Sequence, residues 1–159
     1  MSNVRRHKSR TMTVATPKLI VACELLDRAL RLYYEGGSDF AALHLAGAAE
    51  ELLAKHVEAR GGESSFTSLR NAAVRLSKYF NEDQQESTSK AIATVMNHAK
   101  NATKHMDLTH DDVVVFNPRA EARDLLDRAV SNYYQAMSEY ELEETSLIHR
   151  FNQELASGA

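Results

Sequence analysis

Only two prolines and six glycines interrupt a chain of 159 residues, and four of the glycines fall in the doublets Gly36-Gly37 and Gly61-Gly62. So few breakers exclude a turn-rich sandwich or barrel and favour long helices. The doublets bracket one helix, from Ser38-Asp39 to about Arg60, whose interior Ala41-Ala42 and Ala46-Gly47-Ala48-Ala49 is unusually small. Small side chains let neighbouring helices approach closely, so this helix should be central and Ala46-Gly47-Ala48-Ala49 should lie at the tightest crossing. Before it, Thr16-Pro17 caps a helix whose Leu19, Cys23, Leu26, Leu30 and Tyr33 recur at three- and four-residue steps. The two helices should form an antiparallel hairpin. Leu69, Ala72, Ala73, Leu76 and Phe80 mark a third helix, and Ile92, Val95, Ala99, Ala102 and Met106 a fourth. Asn117-Pro118 opens a fifth, with Ala122, Leu126, Ala129, Tyr133 and Met137 facing inward, and Leu147, Ile148, Phe151 and Leu155 continue as a sixth or an extension. The expected fold class is all-α, an antiparallel bundle of four to six helices.

Charge divides the chain unevenly. Residues 1–18 carry Arg5, Arg6, Lys8, Arg10 and Lys18 without an acid, while the remainder holds 14 basic and 22 acidic residues. Residues 1–16 are therefore expected to be a flexible basic arm, and residues 17–156 a single helical domain. The lone Cys23 excludes an intrachain disulfide framework. No apolar run reaches the ~20 residues that span a bilayer, and the basic N-terminus lacks the apolar stretch of a secretory signal. No membrane association and a cytoplasmic address are expected. Leu25-Leu26-Asp27-Arg28-Ala29-Leu30-Arg31-Leu32-Tyr33-Tyr34 returns as Leu125-Leu126-Asp127-Arg128-Ala129-Val130-Ser131-Asn132-Tyr133-Tyr134, with seven of ten positions identical. Two helices with one packing task account for the echo, their tyrosines serving as core and rim.

Catalytic constellations are sparse. The glycine doublets lack the pattern of a phosphate loop. Glu50, Glu51 and His56 have the wrong spacing for a di-metal bundle, and Glu51 with Lys55 reads as an i,i+4 ion pair. His98 and His105 are two helical turns apart, ~10.5 Å, too far to share a metal. Asp107, His110 and Asp111 could ligate a cation where the fourth helix ends, but as a bare spacing they carry little. No cofactor and no metal are expected. The informative stretch is Asn97-His98-Ala99-Lys100-Asn101-Ala102-Thr103-Lys104-His105. With the apolar stripe turned inward, Asn97, Asn101, Lys104 and His105 collect on the opposite face. There an amide can orient an imidazole and a lysine can hold an anion, chemistry suited to a phosphodiester. The plainer alternative is a solvated polar face.

Three stretches of the chain resemble the HEPN domain (higher eukaryotes and prokaryotes nucleotide-binding), an all-α family. Asp39 to Gly61, with Ala48-Ala49-Glu50 and the exit Ala59-Arg60-Gly61, is similar to the family's second helix. Lys100-Asn101-Ala102-Thr103-Lys104-His105 matches its Arg-polar-x-x-x-His signature except at the first residue. Asn117-Pro118-Arg119-Ala120-Glu121-Ala122 opens a final long helix as in the family. The resemblance covers roughly residues 20–138.

The resemblance implies a HEPN-like bundle working as a homodimer, with the signature meeting across the two-fold axis to cleave RNA without metal. Carried over, His105 is the acid/base, Lys100 stands where arginine is expected, and Asn101 is the polar neighbour, with Lys104 and Asn97 beside them for substrate binding. Five residues turn a helix by about 500°, so Lys100 and His105 diverge by about 140° on an intact one. A shared site then needs a helix end or a second subunit. Lysine keeps the charge but loses the bidentate fork that grips a phosphate. Two function classes follow. One is a metal-independent endoribonuclease of toxin–antitoxin or phage-defence type, whose partner would be an antitoxin-like protein. The other is a non-catalytic dimeric HEPN-like module that binds a protein or nucleotide partner.

Overall fold

The computed structural model describes residues 13–106 and 111–158. Among them the protein is all-helical: α1 (Lys18–Glu35), α2 (Asp39–Ala59), α3 (Ser65–Ser77), α4 (Ser89–Met96), α5 (His98–Ala102), α6 (Pro118–Tyr140) and α7 (Ser146–Ser157). The basic arm falls almost wholly outside the described residues, as do Asp107 and His110 of the candidate cation group.

Helix α2 is central, as its small side chains require. Gly36 and Gly37 both take positive φ, near 75°, which a side chain resists, and fold α1 back antiparallel onto α2. Helix α6 lies along another side of α2. Arg119 reaches Asp39 at its start, Asn132 bonds the Glu50 carbonyl midway, and Tyr140 bonds the His56 carbonyl near its end, so the two helices run parallel. The core is the shared interior of α1, α2, α6 and α7, filled by Leu26, Leu30, Leu43, Leu53, Leu126 and Phe151.

The echoed decapeptides do one packing job on α1 and α6. Leu26 and Leu126, Ala29 and Ala129, and Tyr33 and Tyr133 are all buried. The second tyrosines sit at the rim, where Tyr34 donates to Glu154 at 3.1 Å and Tyr134 donates to Glu144. Asn117 accepts from the backbone N–H groups of Arg119 and Ala120, both at 3.1 Å, and Pro118 follows at the first helical position. Here the expected cap is realised. At the start of α1 it is not: that helix begins after Pro17 without a side-chain cap.

The third and fourth helices depart from expectation. Leu69, Leu76 and Phe80 are exposed instead of buried, as are Val95 and Met106. The expected fourth helix is broken at Asn97 (φ −103°, ψ 4°) and ends at Ala102. Helices α1 and α6 already occupy the best faces of α2, so α3, α4 and α5 form a side layer. Among the described residues only Ala99 of this layer enters the main core.

Candidate functional site

The break at Asn97 and the end of α5 at Ala102 send the candidate residues to two sides of the bundle. Lys100 turns inward. It is only 6% exposed, and its Nζ lies 2.5 Å from Glu51 Oε1 on α2. Gly47 makes room for it: a Cβ there would meet Lys100 Cδ at 2.8 Å and Cγ at 3.3 Å. The small stretch of α2 thus admits a lysine stem as well as the apolar Leu125 of α6. The i,i+4 pair expected between Glu51 and Lys55 is replaced. Lys55 bonds Glu58 at 2.7 Å, and Glu51 goes to the buried ammonium, whose need for a partner is greater.

Beside Lys100 is a cleft of about 180 Å³, lined among others by Glu50, Glu51, Ser64, Phe66 and Asn97. Glu50 is 2% exposed. Burial raises its carboxyl above the ordinary range, although the charges of Arg128 and Lys100 draw it back in part. Burial also raises Glu51, but there the hydrogen bond and charge of Lys100, with the charge of Lys104, outweigh it and hold the carboxyl below its ordinary value. Arg128 is buried behind Glu50 with its guanidinium 5.5 Å from the Phe66 ring, whereas its echo Arg28 is exposed on α1. The buried Oδ1 of Asn97 has no hydrogen-bond donor among the described residues.

The remaining candidate residues face the other way. Asn101, Lys104 and His105 are exposed where α5 ends. Asn101 and His105 share a cleft of about 250 Å³ with Thr94 and His98. His105 and Lys104 also line an adjoining, open cleft of about 400 Å³ with Phe40, His44 and Asp112. His105 therefore stands between two recesses, flanked by an amide, an ammonium and two further imidazoles.

Of the five expected site residues, Asn101, Lys104 and His105 come together, while Asn97 and Lys100 line the opposite cleft. Within one chain Lys100 and His105 line different clefts, although α5 ends at Ala102 between them and the expected divergence applied to an unbroken helix. Sequence reasoning passed over Glu50 and Glu51 as site residues and over His44 as a neighbour of His105. The adjacent carboxylates in a helix otherwise made of small residues were the available signal for the first two. Among the described residues, no group of three or more His, Cys, Asp or Glu side chains could hold a metal ion, and no helix is long and apolar enough to cross a membrane. Compared with family models, curated proteins and solved structures, the chain matches none.

Proposed function

We propose that this chain is a HEPN-like helical module that acts as a homodimer and binds RNA or a nucleotide through its Asn101/Lys104/His105 face without cleaving it. The observation that carries this reading is the Lys100–Glu51 ion pair. A cation at the signature position serves phosphoryl transfer only if it can reach the phosphoryl oxygens. Lys100 is buried, neutralised by Glu51 and pointed away from His105, so its charge is used to hold α5 against α2. Lys104 and His105 keep the exposure that anion recognition needs. The basic arm, supplied with four cations by Arg5, Arg6, Lys8 and Arg10, adds sequence-independent attraction for phosphate.

A second reading, a metal-independent endoribonuclease of toxin–antitoxin or phage-defence type, draws on a different observation. His105 lies in an open recess beside Asn101 and Lys104, where an imidazole could move a proton from a ribose 2′-hydroxyl. One experiment separates the two. Wild type, His105→Ala and Lys100→Arg are incubated with structured and single-stranded RNA in EDTA, and products are scored for 2′,3′-cyclic phosphate ends. Binding of a labelled oligoribonucleotide is followed in parallel by anisotropy, and dimerisation by sedimentation. The binding module predicts intact RNA with every variant, and binding that weakens with salt and with Lys104→Ala. Cleavage by wild type, lost roughly 10²–10⁴-fold in His105→Ala, establishes the nuclease instead. A strict monomer at tens of micromolar, a range that would populate even a weak dimer, refutes the dimeric form of either reading.

A further inference from the structure

We propose that the cleft beside Lys100 binds a small organic cation with N–H donors, an ammonium or guanidinium group on a short carbon stem. Glu50 of α2 carries the assignment. It is only 2% exposed, and its backbone carbonyl accepts from Asn132. Its carboxylate, by contrast, has no hydrogen bond or ion pair among the described residues. Nor are the carboxylate oxygens sealed in. The buried side-chain atoms left without a partner are Arg70 Nε, Asn97 Oδ1 and Arg128 Nε, so the oxygens of Glu50 open into the cleft that this residue lines.

The cations already present do not serve this carboxylate. Lys100 is taken by Glu51 at 2.5 Å and Lys55 by Glu58 at 2.7 Å. Arg128 of α6 lies behind Glu50 without a hydrogen bond, its guanidinium 5.5 Å from the Phe66 ring. The charges of Arg128 and Lys100 favour ionised Glu50, and those of Glu51 and Glu58 oppose it. Burial outweighs the two cations and keeps the carboxyl above its ordinary range. A buried carboxylate without a partner costs stability, and a bound N–H cation offsets that cost with a charge-assisted hydrogen bond.

Other occupants fit less well. An anion would have to detach Glu51 or Glu58 from its lysine and then lie against Glu50. No group of three or more His, Cys, Asp or Glu among the described residues suits a metal ion. Water supplies donors but no charge. Ala54 and Phe66 give the cleft apolar walls suited to a carbon stem, and Asn97 Oδ1 on another wall is a second acceptor without a donor. The volume, about 180 Å³ against the ~30 Å³ share of one water molecule, admits a head group and a few carbons.

The test uses the full chain, with the NMR resonances of Ala54 and Phe66 followed on titration. n-Butylammonium and methylguanidinium should bind saturably with Kd of about 0.1–10 mM, ordinary for such small ligands. Tetramethylammonium has the charge but no N–H, and butan-1-ol has the chain but no charge; each should bind about tenfold or more weakly. Glu50→Gln should weaken n-butylammonium by about tenfold or more. Its thermal midpoint should be no lower than that of wild type, since an amide relieves the unpaired buried charge, so lost binding is not lost fold. Glu51 and Glu58 are held low by their lysines and ionise first. Above their range, affinity should rise with pH through the titration of Glu50 in wild type and stay flat in Glu50→Gln. Once the amine binds, Nα-acetyl-lysine methylamide identifies its source. Binding of that compound points to a lysine side chain of a partner, and its exclusion to a free small amine. The proposal is overturned if n-butylammonium gives no saturable shift at about 50 mM, well above the expected Kd. Equal binding of butan-1-ol or tetramethylammonium, or undiminished binding by Glu50→Gln, overturns it as well. None of these outcomes depends on RNA, His105 or Lys104.

Discussion

Helix α1 and helix α3 both present amphipathic stripes of comparable quality in the sequence, and the protein treats them oppositely. In α1 the stripe Ala22, Leu26, Ala29, Leu30 and Tyr33 is closed off between α2, α6 and α7. In α3 the leucines at positions 69 and 76 look outward, and the side turned to the body carries Phe66 and Ser77. Periodicity reports that a helix has an apolar side; it does not report which side finds a partner within the same chain. That depends on which surfaces of the central helix are left. Helices α1 and α6 enclose most of the buried side of α2, with Ala42, Leu43, Ala46, Ala49 and Leu53, and the layer of α3 to α5 meets α2 around Gly47, where α6 also reaches, and at Glu50 and Glu51.

The sharpest way to break the comparison is a pair of matched truncations. Leu126→Ala removes a fully buried side chain from the interior that α6 shares with α2 and should cost about 2–5 kcal/mol. Leu76→Ala removes the same atoms from a site already in water and should change stability by no more than about 0.5 kcal/mol. Urea unfolding measured on both decides the matter. A large loss for Leu76→Ala would mean that α3 is covered in the native protein, by a second copy or by a different seating of the helix.

A smaller effect probes the boundary between the two regions. Gly47 is where a lysine stem from α5 and Leu125 from α6 both reach α2. Gly47→Leu should overpack this crossing and cost about 1–3 kcal/mol, with Lys100 displaced from Glu51. An unchanged thermal midpoint would show that the crossing is loose and that α5 does not depend on it.

What could be read in advance follows the same division. The central helix was legible because glycine doublets mark both its ends and its interior is too small to be anything but close-packed. The start of α6 was legible because Asn117 and Pro118 are a local cap, complete within four residues. The partner of Lys100 was not. Glu51 is forty-nine positions away, and Lys55 stood one turn along as a plausible local alternative. Nor was the inward turn of Lys100 foreseeable from periodicity, since it depends on the break at Asn97 and on the space at Gly47. The spacing of Lys100 and His105 implied divergence only on an unbroken helix, and α5 ends at Ala102 between them, so their separation comes from the inward turn of Lys100 and not from that spacing. Arg128 carries the same lesson: its decapeptide repeats that of Arg28, yet one guanidinium is buried and the other is in water, because only α6 has α3 lying against it.

The finest contrast lies between two adjacent carboxyls, and pH separates them. Glu50 is held above its ordinary range in the folded state by burial, so its contribution favours folding at acidic pH and is lost as pH rises through the folded value. Glu51 is held below its ordinary range, because Lys100 outweighs the effect of burial. Its contribution is present above the unfolded value and is lost as pH falls through the folded one. The two substitutions should therefore give stability differences of opposite slope. Glu50→Gln should become more favourable relative to wild type as pH rises from below the ordinary carboxyl range, since an amide fills the same space without a charge to desolvate. Glu51→Gln should cost about 1 kcal/mol near neutrality, discounted because this carboxylate is half in solvent, and less as the solution is acidified toward its folded value. Adding Lys100→Met to Glu51→Gln should recover most of that loss, because no buried ammonium is then left without a partner. Urea unfolding at several pH values reads all three. Parallel profiles for the two glutamines would mean that Lys100 does not distinguish the carboxyls, and that the ion pair fixing α5 to α2 is absent in solution.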